Sequence, residues 1–159
     1  MKPTPLIEAD PVHVASVSAI IKSLYDSISF KQGDAADWKK MRSLFIPDGR
    51  LLIPKRATTD SISLTTEQFV ERGKIVFANE TFAGKGFRET EIARREEAFG
   101  FIRHIFSAYE AVLTDIDDMV IGRGINSIQL LWESERWWIV SMVWDDERPD
   151  NPMPDWANS

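Results

Sequence analysis

The chain has 159 residues, 43% of them apolar and 28% charged, which fits a single domain with one core. Its net charge of −6 excludes the clustered basic face of a nucleic-acid binder. It has no cysteine, which excludes disulfides and thiolate chemistry, and its two histidines, His13 and His104, lack any zinc-binding spacing. No metal or cofactor is expected. No apolar run has signal-peptide or membrane-spanning length, so a cytoplasmic protein without a membrane partner is expected.

In chain order, residues 1–9 read as a flexible leader. Asp10-Pro11 supplies a helix cap and a proline at the first helical position. Val17, Leu24 and Ile28 then recur at helical spacing, which predicts one amphipathic helix from Pro11 to about Phe30. Asp34 is positioned to cap a second, short helix with Trp38, Met41 and Phe45 on one face. Pro47–Gly49 is turn chemistry, and "RLLI" after it is a short strand stopped by Pro54. "KRATTDSIS" reads as a loop. Thr65 and Gln68 form a capping box for a third helix carrying Phe69, Val76 and Phe77 and ending near Gly84.

After Gly86 the period changes to two. Phe87–Phe99 is rich in charge, but Thr90, Ile92 and Ala98 interleave as in a strand. Three further strands are predicted at Ile102–Leu113, Ile121–Trp132 and Arg136 to about Asp146, joined by "TDIDD" and "ESE". Residues 10–147 make one domain, and residues 148–159 a proline-rich tail in which Met153 and Trp156 are the anchors. The expected class is α+β: three N-terminal helices packed on a strongly curved, mainly antiparallel sheet, a cone-shaped half-barrel with an internal pocket.

The phrases "DWKKMRSLFIPDGRLL", "FIRHIFSAYEA" and "RGINSIQLLWESERWWIVSMVWDDE", in this element order, resemble the nuclear transport factor 2-like group. This superfamily is also called SnoaL-like, and its fold a cystatin-like cone. The likeness runs over nearly the whole chain after Asp10. It implies a homodimer with a cone pocket for a small apolar or aromatic molecule. The resemblance also allows a cofactor-free lyase or isomerase of dehydratase, ketosteroid-isomerase or polyketide-cyclase type.

Candidate site residues follow from both sources. His104, in mid-strand, is a candidate proton carrier. Tyr25 and Asp26, late in the first helix, match the place where the resembled dehydratases and isomerases put such groups. Ile102, His104, Phe106 and Ala108 share one strand face; Arg103, Ile105, Ser107 and Tyr109 share the other. Arg103 and Tyr109 are therefore the alternative lining of the cone, with Arg103 selecting an anionic ligand or else pairing with a neighbouring glutamate. In the last strand strict alternation groups Trp138, Val140, Met142 and Trp144 against Trp137, Ile139, Ser141 and Val143. Two apolar faces call for two covers, the helices on one side and a second copy of the sheet on the other. Trp144 is the ring expected to border a ligand.

Overall fold

The computed structural model describes residues 8–158. The elements are α1 (Pro11–Val14), α2 (Val17–Ser27), α3 (Trp38–Leu44), β1 (Phe45–Ile53), β2 (Ile62–Thr65), α4 (Thr66–Phe77), β3 (Phe87–Phe99), β4 (Ile102–Leu113), β5 (Met119–Glu133) and β6 (Arg136–Asp146), with a 3-10 turn at Asp155–Ala157. The strands form one sheet in the order β2-β1-β6-β5-β4-β3. Every pair is antiparallel except β1 with β6. The expected leader falls mostly outside the described residues.

Local chemistry explains most boundaries. The single long helix expected from Pro11 is two helices. Asp10 caps α1 by accepting from Val12 N–H at 3.0 Å, and extended Ser16 then caps α2 by accepting from Ala19 N–H at 3.0 Å. The cap of α3 is Asp37 rather than Asp34, accepting from Lys40 N–H. The capping box at α4 is complete: Gln68 N–H donates to Thr65 Oγ1 at 3.1 Å, and Thr65 N–H to Gln68 Oε1 at 2.9 Å.

Two corrections concern the first strands. Pro47–Gly49 lies inside β1 as an irregularity, because the register with β6 shifts between Phe45 and Arg50. The end of the expected loop is β2, where Ile62 pairs with Ile53. At the β5–β6 hairpin Ser134 and Glu135 both have positive φ, the two-residue turn that suits strand twist.

A third correction concerns the tryptophan strand. Gln129 pairs with Ser141 but Leu130 with Ile139, so Val140 is an extra residue in β6. Such a bulge moves the strand beyond it by one residue and exchanges its faces. Trp137, Ile139, Met142 and Trp144 therefore all face the helices, where the first three are buried. Trp138, Ser141 and Val143 face outward. Trp138 is covered there by the Arg136 guanidinium, 3.6 Å above its ring.

The core lies between the helices and the inner sheet face. Ile20, Ile21, Leu24, Met41 and Leu44 close on Leu51, Ile105, Ile128, Leu130 and Ile139, all with at most 2% of their surface exposed. Each such side chain contributes roughly 1.5–3 kcal/mol. The tail crosses the outer face of the same sheet, where Met153 and Ala157 bury against Ala108. Arg95 stacks on Trp156, 5.0 Å from its centroid. Among the described residues no helix is long and apolar enough to cross a membrane.

Candidate functional site

A cavity of about 230 Å³ opens between the helices and the concave face of the sheet. α2 contributes Leu24, Tyr25 and Ile28, and α3 contributes Trp38 and Met41. α4 adds Phe69, Arg72, Gly73, Val76 and Phe77. The sheet adds Ile53, Phe87, Met142 and Trp144, with Glu89, Tyr109 and Asn126 as its polar members. Gly73 has a steric reason: a Cβ there would overlap the Trp38 ring, so its absence lets α3 and α4 close over the cavity. Trp144 meets Phe69 edge to face at 5.8 Å.

The polar groups form two chains and one exception. Tyr25 Oη lies 2.7 Å from Ser107 Oγ, and Asn126 Nδ2 donates to Tyr25 Oη at 3.0 Å. Ser107 itself donates to Glu91, so the Tyr25 proton is the one that Ser107 accepts. Glu91 is clamped by Arg94, whose Nη2 is 2.8 Å away. The second chain starts at Tyr109, which donates to Asp146 Oδ1 at 2.6 Å; Asp146 Oδ2 accepts from Arg56 at 2.8 Å. Gly124 stands opposite Tyr109 on β5, and a Cβ there would overlap the Tyr109 hydroxyl and the Asp145 carbonyl. The missing side chain is the slot through which the phenol reaches Asp146.

Both phenols stay neutral. Burial pushes Tyr25 far above the usual tyrosine range. Burial, reinforced by its bond to Asp146, does the same to Tyr109.

Glu89 is the exception. Its backbone is stitched to the end of α2: Glu89 N–H donates to Ser29 Oγ at 3.0 Å, and Phe30 and Phe87 exchange backbone bonds of 2.8 and 2.9 Å. That stitching sets its side chain on the cavity wall. Its surface is partly accessible, through the cavity and a shallow groove beside α2, while protein surrounds the carboxyl closely. Burial, then the charge of Asp146, pushes its carboxyl from 4.5 up to about 8, with Asn126 opposing. Glu89 is therefore largely protonated at neutral pH.

No family model matches the chain, and no curated protein matches it in sequence. Solved structures do match. A protein of unknown function from Nostoc punctiforme PCC 73102 with a cystatin-like fold superimposes with TM-score 0.61 at 12% identity, over 82% of this chain and 90% of that one. An NTF-2-like protein of unknown function from Silicibacter pomeroyi DSS-3 gives 0.56 at 12% identity, over 84% and 94%. The chain has the cystatin-like, NTF2-like fold. A third structure of this fold, from Catenulispora acidiphila in complex with S-DNPA, gives 0.56 at 14% identity, over 69% and 78%.

Within the NTF2-like cone the residues singled out from sequence separate into two groups. Tyr25, Tyr109 and Trp144 line the cavity. Asp26 does not: it faces outward from α2 and pairs with Lys22 one turn earlier. His104 lies on the outer sheet face, bonded to Ser127 Oγ at 2.9 Å. The reason is parity, since Ser107 and Tyr109 point inward and position 104 alternates to the other side. Arg103 has inward parity but sits six residues from Tyr109, about 20 Å along the strand. There it stacks 4.9 Å over Trp137 and pairs with Glu96 at 3.6 Å, closing the far end of the core.

Glu89, Asn126 and Arg72 line the cavity and were missed by sequence reasoning, as was Asp146 behind Tyr109. The usable signal was the inward parity of Phe87, Glu89 and Glu91 on β3. Among the described residues no group of three or more His, Cys, Asp or Glu side chains is placed to hold a metal ion.

Proposed function

We propose that the cavity takes a small, largely apolar molecule and that Glu89 exchanges a proton with it, as in a cofactor-free lyase or isomerase. The observation that carries this reading is the Glu89 carboxyl on the wall of a mostly apolar cavity, where burial and then the charge of Asp146 push it up to about 8. A group in that range holds a proton to give at neutral pH and regains it readily, which is what general acid–base work requires. Protonated Glu89 would donate to a carbonyl or departing hydroxyl oxygen. Its carboxylate would then take a proton from the adjacent carbon. Tyr25 and Tyr109 have their protons committed to Ser107 and Asp146, so they shape and orient the wall. A volume of about 230 Å³ lies below the roughly 300–1,000 Å³ of drug-sized sites, which favours a molecule of one or two rings. The S-DNPA complex of the Catenulispora acidiphila protein is a precedent for a ligand-bound protein of this fold.

The test is carbon-bound proton exchange. Cyclohex-2-enone and 2-indanone in D2O are followed by NMR with the native protein and with Glu89→Gln. Loss of α-proton signal on the order of a hundredfold faster with the native chain supports the reading. Equal rates with both proteins contradict it.

We also propose that two copies pair through the outer sheet face beyond the tail. Phe99, Phe101 and Ile102 are 84%, 69% and 55% exposed at the β3–β4 hairpin, and Phe106 lies beside them. Sedimentation is expected to show a species of twice the 18.2 kDa chain mass; a monomer at all concentrations would contradict this.

A further inference from the structure

The helix wall of the cavity contains one side chain out of keeping with its neighbours. Phe69, Gly73, Val76 and Phe77 sit at helical spacing on the cavity side of α4, and Arg72 falls in the same stripe. Unlike Arg42, Arg56 and Arg103, Arg72 makes no hydrogen bond or ion pair among the described residues. The nearby carboxylates on its own helix are engaged elsewhere: Glu67 takes both forks of Arg42 at 2.8 Å, and Glu71 pairs with Lys74 at 3.1 Å. On the sheet side Asp146 lies behind Tyr109 and is held by Tyr109 and Arg56, and Glu89 is mostly uncharged at neutral pH. The cavity therefore presents one uncompensated positive charge beside an apolar chamber.

We infer that the ligand is a small apolar carboxylic acid, its carboxylate gripped by Arg72 at the mouth and its apolar body in the chamber against Trp38, Phe69 and Trp144. The inference rests on the cavity reading above and names its substrate class. A planar guanidinium matches a carboxylate through two parallel hydrogen bonds, which a neutral amide of the same shape cannot form. Arg72 is solvent-exposed as well as lining the cavity, so the carboxylate keeps part of its water while the body is dried. Glu89, on the opposite wall, then meets the body of the molecule and not its charged end.

Calorimetric titration with 3-phenylpropanoate, 3-phenylpropanamide and 2-phenylethylphosphonate tests this. The native chain is expected to bind the carboxylate at least tenfold more tightly than the amide at low salt, with the preference shrinking as salt rises. Arg72→Gln is expected to abolish the preference by weakening carboxylate binding at least tenfold and amide binding by much less, and Arg72→Lys to restore part of it. Equal affinity of the native chain for acid and amide would overturn the inference, as would a preference that survives Arg72→Gln. A phosphonate bound tenfold more tightly than the carboxylate would overturn the assignment of the anion. If neither acid nor amide binds, the cavity reading fails and this inference with it; if the amide binds without an acid preference, only the role of Arg72 fails.

Discussion

Replacing Glu89 by glutamine is expected to change the pH dependence of stability in a way that no surface carboxylate would. The native carboxyl titrates at about 8 in the fold against 4.5 when unperturbed. Between those values the folded chain keeps a proton that the unfolded chain has lost. Folding is therefore favoured at the low-pH end of the window, and this contribution is lost as pH rises through the folded value. The slope is about 1.4 kcal/mol per pH unit. Summed over the window it reaches about 3 kcal/mol at pH 7 and about 5 kcal/mol at pH 9. Glutamine keeps the shape of the protonated acid and cannot ionise. The two proteins are expected to lie within about 1 kcal/mol at pH 5, with Glu89→Gln ahead by roughly the amounts above at pH 7 and 9. Urea unfolding followed by tryptophan fluorescence at the three pH values measures the gap, and groups that do not interact with Glu89 cancel in the difference. A gap that does not change with pH would refute the reasoning.

Other substitutions separate the cavity from the outer face. Gly124→Ala fills the slot used by Tyr109 and breaks its bond to Asp146, so a loss of about 2 kcal/mol is expected from urea unfolding. In a Tyr109→Phe background the same change is expected to cost less, because the bond is already gone. His104→Ala is expected to move stability by no more than about 0.5 kcal/mol and to leave ketone exchange unchanged, since the ring lies outside the cavity. Met153→Ala is expected to cost about 2 kcal/mol by calorimetric melting, because the tail docks through that side chain on Ala108.

The architecture was readable where local chemistry and period agree. The Thr65–Gln68 box, the run Ile102–Leu113 and the strand from Arg136 to Asp146 match the structure, because caps and two-residue alternation are properties of short segments. The site was harder, because it depends on which face a strand turns inward. On β3 the charged positions look like the solvent side, yet Phe87, Glu89 and Glu91 face the helices, while Thr90 and Ile92 are exposed. Charges tolerated inside break the binary pattern that sequence reading relies on. The extra residue Val140 leaves no mark in composition but exchanges the faces of the tryptophan strand, bringing Trp137 and Trp144 to one side. His104 attracted attention by residue type and mid-strand place, and no local feature of the sequence chooses between its two possible faces. Arg72 was hidden by the same logic in reverse: an arginine on a helix reads as solvated unless the chamber beside it is known.

The most direct measurement is a carbon-13 NMR titration of the Glu89 side-chain carboxyl in the intact chain, assigned by its disappearance in Glu89→Gln. A midpoint near 8 is the result expected from a carboxyl dried by the cavity wall and facing the charge of Asp146. A midpoint near 4.5 would mean that the group is solvated as on any surface, and the proton-transfer role would have no basis.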